Sequence, residues 1–106
     1  RLRCDWSSDV CSSDLDNPVS NDDVEISDDQ LAPGYGQLND SVFEALKLSA
    51  HHEGLILDPV YTGRSMAGFI QRAREVNQQK TLLFIHTGGQ PAIFAYEADL
   101  EPLLSN

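Results

Sequence analysis

The stretch Thr81-Leu82-Leu83-Phe84-Ile85-His86-Thr87-Gly88-Gly89-Gln90-Pro91 decides the fold reading. Leu82 to Ile85 are apolar without alternation, the pattern of a strand buried on both faces. The Gly pair then breaks the run, and Pro91 suits the first turn of a following helix. Leu55 to Leu57 is a shorter run of the same kind, and Val24 to Ser27 reads as a short strand.

Working outward, two amphipathic helices surround these runs. Ser41 and Glu44 have the spacing of a capping box. Val42, Ala45, Leu46 and Ser49 then fall on one stripe, widened by Phe43 and Ala50. Gly54 fits the left-handed position that ends a helix. In the second helix, Arg64 to Asn77, the stripe is Met66, Phe69, Ile70, Ala73 and Val76, with Arg64, Gln71, Arg72 and Glu75 largely elsewhere. Pro59 and Gly63 predict a tight turn before it, and Pro102 breaks any helix in the tail. The order helix, strand, helix, strand, helix predicts an α/β fold, a partial parallel sheet with flanking helices on both faces. So small a sheet would leave open edges, so the chain is expected to be a piece of a larger α/β protein.

Composition narrows the function classes. The chain has 106 residues and a net charge of −10, which argues against nucleic acid and anionic membrane surfaces as partners. No apolar run approaches the ~20 residues of a membrane span. The acids between Asp16 and Asp29 lack the spacing of a calcium loop and read as a solvated segment rather than a metal site.

Residues 1–15 stand apart. Asp5 to Leu15, DWSSDVCSSDL, has no periodicity, and Cys4 and Cys11 fit no zinc pattern. Back-translated, the stretch resembles a common sequencing-library adapter. It is expected to be a non-native, disordered tail on a metagenomic gene fragment. Residues 16–30 follow as the acidic segment, and 31–106 as the main folded part. With the two Cys set aside, nothing points to an oxidising compartment, and the expected location is cytoplasmic.

Chemistry in an open α/β sheet sits beyond the carboxyl ends of strands. Two segments leave strands there, DPVYTG (58–63) and HTGG (86–89). A strand followed by a Gly pair and a helix is the general form of an anion site, but a weak signal alone. Tyr35 and Tyr61 lie on Gly-flanked loops, where a tyrosine acts as acid, base or substrate anchor, or covers a core edge. His86 either orients a ligand or is a structural histidine. His51 and His52, adjacent at a helix end, make a poor metal pair and suit the negative end of the helix dipole.

The wording of three segments carries a resemblance. DDQLAPGYGQ (28–37), EALKLSAHHEGLILDPVYTGRSMAGFI (44–70) and LLFIHTGGQPAIFAY (82–96) resemble the C-terminal third of one pyridoxal-phosphate family. That family groups D-cysteine desulfhydrase with 1-aminocyclopropane-1-carboxylate deaminase, on the fold-type II, tryptophan-synthase-β-like fold. The resemblance spans about residues 22 to 97 and makes 31–106 the C-terminal part of the cofactor-binding domain. It implies pyridoxal 5'-phosphate as cofactor, a small-molecule amino-acid substrate, and a homodimeric parent. By resemblance, Tyr61 and Tyr35 are the catalytic tyrosines, Thr62 faces the pyridine nitrogen, and Thr87 and Gly88 lie near the ring.

The resemblance also divides the family. The deaminase is expected to carry Glu at position 62 and Leu at position 87. Two neutral threonines leave the ring a weaker electron sink, which suffices for β-elimination rather than cyclopropane opening. D-Cysteine desulfhydration, to pyruvate, hydrogen sulfide and ammonia, is the expected reaction; the alternatives are the deaminase, or a non-catalytic phosphate-binding α/β module using HTGG. The Schiff-base lysine belongs to the N-terminal part of such enzymes; Lys47 and Lys80 do not match its context, so this chain alone is expected to be inactive.

Overall fold

Helix α1 (Asp40–Glu53) begins where Asn39, in extended conformation, turns its Oδ1 onto the Val42 amide at 2.8 Å. This computed structural model describes residues 20–77 and 79–104. The adapter-like tail with its two Cys, and residues 16–19 of the acidic segment, lie outside the described residues. The cap differs from the expected Ser41–Glu44 box. Ser41 Oγ instead sits 2.6 Å from Gln30 Oε1 and 2.8 Å from Asn39 Oδ1, while Glu44 pairs with Arg74 at 2.8 Å. The stripe is as expected: Val42, Ala45, Leu46 and Ser49 are the buried residues of α1. Gly54 ends the helix at φ 65°, and the amides of Gly54 and Leu55 return to Ala50 and Ser49 carbonyls.

Helix α2 (Thr62–Glu75) starts two residues before the expected boundary and packs on α1. Gly63 makes the approach close. A Cβ there would stand 3.2 Å from Leu46 Cδ2 and 3.3 Å from Val42 Cγ1. The core is Val42, Ala45, Leu46, Leu57, Met66 and Ala67, with Leu38, Phe69, Ile70, Phe84 and Leu100 packed against it. Ala73, expected on the apolar stripe, is exposed, and Arg64, expected outside, is buried. Arg74–Glu44 crosses between the two helices and Arg72–Glu25 ties down the acidic segment, but both pairs are exposed and contribute little.

The expected parallel sheet is not there. Among the described residues no strand forms, and the fold is a small, mostly helical one. Val24 to Ser27, Leu55 to Leu57 and Thr81 to Thr87 have no regular structure. A strand exists only through its neighbour's ladder, and none of these segments exchanges backbone hydrogen bonds with another. Leu82 to Ile85 also alternates, with Leu82 and Phe84 half-buried and Leu83 and Ile85 exposed, so it is covered on one face only. Phe84 supplies the contact, meeting Phe69 edge-on at 5.7 Å.

After the Gly pair the chain enters a 3-10 helix, Gln90–Tyr96, with Pro91 in its first turn as expected. Helix α3 (Glu97–Leu104) follows and continues through Pro102, where a stop was expected. The missing amide falls near the end of a short helix and removes a single bond. No helix among the described residues is long and apolar enough to cross a membrane.

Candidate active site

Asp58 is the centre of the site. Its side chain is fully buried at the end of Leu55 to Leu57. Oδ2 accepts from the amides of Val60 at 3.0 Å and Tyr61 at 2.7 Å, and Oδ1 from the Thr62 amide at 2.9 Å and hydroxyl at 2.6 Å. The Asp58 carbonyl takes the Gly63 amide at 2.7 Å. These are the donors left over where α2 begins, so Asp58 performs the N-capping that Tyr61 does not. Burial pushes the Asp58 carboxyl up. The Thr62 hydroxyl and the amides of Thr62, Tyr61 and Val60 outweigh it and hold the group below the ordinary carboxylate value.

Thr62 is thereby committed. Its hydroxyl donates to Asp58 Oδ1 and accepts the Asp58 amide at 3.0 Å, and it is 1% exposed. One lone pair is left to offer a ligand.

The second loop reaches the same carboxylate. Gly89, at φ 93°, lies so close that an added Cβ would sit 2.7 Å from Asp58 Oδ1. Asp58 therefore joins DPVYTG to HTGG. His86 fixes the latter from the other side. The Gly88 amide donates to Nδ1 at 3.0 Å, which leaves the proton on Nε2, 3.3 Å from the Ile56 carbonyl. Both ring nitrogens are used on backbone, so the structural role for His86 is the one realised. Thr87 is exposed, its hydroxyl without a partner among the described residues, and a Cβ at Gly88 would meet open space. The Gly88 amide is turned to His86, and the first amides of α2 are turned to Asp58.

Tyr35 and Tyr61 meet. Their hydroxyls are 2.5 Å apart and their rings cross edge-on at 63°. Both rings are exposed, at 82% and 58%. The Tyr61 hydroxyl is held above the ordinary tyrosine value, chiefly because it is bonded to Tyr35. Such a pair shares a proton and presents a polar, aromatic rim beside Thr62.

Of the five residues picked out from sequence, Tyr35, Tyr61 and Thr62 are brought into one continuous cluster, and Thr87 and Gly88 adjoin it through Gly89. Asp58 was missed. Its signal was partial: an Asp before Pro marks a turn, but the helix it serves begins four residues on. Arg64 was missed as well, because a charge off the apolar stripe reads as solvated.

A catalytic role for such a cluster depends on what proteins carry it. No family model matches the chain. Over 76 residues, 70% of its length, it is 54% identical to bacterial proteins of the desulfhydrase class. These are D-cysteine desulfhydrases, among them those of Salmonella typhi, Salmonella newport (strain SL254) and Salmonella enteritidis PT4 (strain P125109), consistent with a fragment of that family. The chain spans 23% of the length of these relatives.

Proposed function

We propose that the chain is the part of a D-cysteine desulfhydrase-type lyase that closes one side of its active site. The carrying observation is the 54% identity to D-cysteine desulfhydrases over a segment that holds the paired tyrosines. The whole protein would convert D-cysteine to pyruvate, hydrogen sulfide and ammonia.

Pyridoxal phosphate, when bound, supplies the electron sink that lets an amino acid's α-proton leave. The residues fit the group in part. Thr87 offers an exposed hydroxyl and Gly88 a side-chain-free surface for a flat ring. Thr62 fits less well: its hydroxyl proton goes to Asp58, so it would have to turn from Asp58 to donate to an unprotonated ring nitrogen. A neutral group at position 62 favours elimination over cyclopropane opening. Tyr35 and Tyr61 share one hydrogen bond, so either hydroxyl can release a proton while the other takes up the freed interaction. That suits protonating a leaving thiolate. Lys47 and Lys80 are both exposed, and neither is proposed as the lysine that carries the cofactor.

The test is a chimera in which this segment replaces the matching 76 residues of the Salmonella typhi enzyme. Sulfide release from D-cysteine is expected, with Tyr61→Phe reducing it by roughly tenfold or more. Turnover of the cyclopropane amino acid in preference to D-cysteine, or no turnover of either by a folded chimera, would refute the proposal. The 106-residue chain alone is expected to release no sulfide.

A further inference from the structure

Tyr35 has nothing to pack in. Its ring is largely exposed, and Tyr61 is the one aromatic ring it meets among the described residues, so side-chain packing does little to fix its hydroxyl and the backbone must. That backbone is held on both flanks. The carbonyl before Tyr35, on Gly34, accepts from Arg64 Nη2 at 2.8 Å, and the one after it, on Gly36, accepts from Tyr96 Oη at 2.9 Å.

Arg64 does more. The same guanidinium donates to the carbonyls of Gln30, Ala32 and Gln37, so four main-chain acceptors of one loop converge on it. It is buried, and none of its hydrogen bonds goes to a carboxylate. Burying a charge without a counter-charge is costly unless its donors are satisfied. Here they are satisfied by the loop that carries Tyr35. Arg64 also stands three residues after Tyr61, in the first turn of α2. One helix turn therefore carries Tyr61 and the clamp on its partner.

We propose that Arg64 and Tyr96 are positioning residues, which fix the two carbonyls flanking Tyr35 and so hold its hydroxyl on Tyr61. The catalytic consequence rests on the function proposed above; the anchoring itself does not.

The anchoring is read by absorbance titration of the tyrosines in this chain. Tyr61 ionises above the ordinary range while bonded to Tyr35. Arg64→Lys keeps the charge but cannot span the carbonyls with a compact ammonium, and Tyr96→Phe keeps the ring and removes one bond. In both, the high tyrosine step is expected to fall toward the ordinary range with the circular dichroism unchanged. Folded variants that keep the wild-type step would overturn the proposal. If Arg64→Lys does not fold, a folded Tyr96→Phe that keeps the wild-type step still overturns the proposal, and a fall supports it only where it exceeds the small part that the charge of Tyr96 itself contributes to Tyr61. In the chimera, each variant is expected to lower kcat by roughly tenfold with KM within about twofold. Unchanged kcat in both removes the catalytic consequence. An inactive unmodified chimera counts against the proposed function, while the titration still decides the anchoring.

Discussion

Gly89 presses its Cα against the carboxylate of Asp58, and a Cβ there would come within 2.7 Å of Oδ1 and 3.0 Å of Cγ. Two loops that flank the candidate site thus approach so closely only because position 89 has no Cβ.

Alanine at this position faces two penalties, a φ of 93° and the carboxylate. Gly88, at φ 101°, has the first penalty only, since its Cβ would meet nothing. Gly88→Ala should cost about 1–2 kcal/mol, and Gly89→Ala more, by another ~1–3 kcal/mol. Urea denaturation of the two variants checks this; equal losses would show that the loops do not need the contact.

Asp58→Asn replaces an all-acceptor group with one that has a single oxygen facing four donors. About 1–3 kcal/mol of stability should be lost at neutral pH. The sign with pH follows from the lowered carboxyl. Its contribution is fully present above the unfolded value near 3.8 and is lost as pH falls through the lower folded value. The gap between wild type and variant should therefore stay constant from pH 7 to about pH 5 and close below about pH 4. A gap that persists unchanged into stronger acid would contradict the ionised Asp58 described here.

Tyr35→Phe should release Tyr61. The bond to Tyr35 is the main reason Tyr61 holds its proton beyond the ordinary range. A raised value means that this group stabilises the fold below the unfolded tyrosine value and ceases to as pH rises through the folded one. In the variant the highest tyrosine step should move down, and alkaline stability should no longer fall with it. A titration curve that matches wild type, apart from one missing tyrosine, would rule out the pair.

Asn39→Ala should cost about 1 kcal/mol, because Asn39 caps α1. Glu44→Ala should cost no more than a few tenths, the worth of an exposed pair with Arg74. Thermal melts separate the two; a larger loss at Glu44 would restore the capping box read from sequence.

The helices were legible because their information is local. Val42, Ala45, Leu46 and Ser49 recur at helical spacing, and Gly54 is where a left-handed residue is needed. The sheet was not legible in the same way. An apolar run such as Leu82 to Ile85 states that it can be buried, but a strand also needs a backbone beside it, which no single segment specifies. The site was half legible. Tyr35, Tyr61 and Thr62 drew attention by residue type and loop context. Arg64 was hidden because its partners are carbonyls, which every residue has and no pattern of side chains reveals. Asp58 was read as part of a turn when it was the cap of the next helix.

The clamp on the Tyr35 loop and the Asp58 junction differ in what acid does to them. Asp58 works through a carboxylate that acid can neutralise, whereas Arg64 is bound to peptide carbonyls, which do not titrate. Acid therefore acts on the start of α2, where Asp58 holds the amides of Val60, Tyr61 and Thr62, while the bonds of the Arg64 clamp itself carry no group that acid can neutralise.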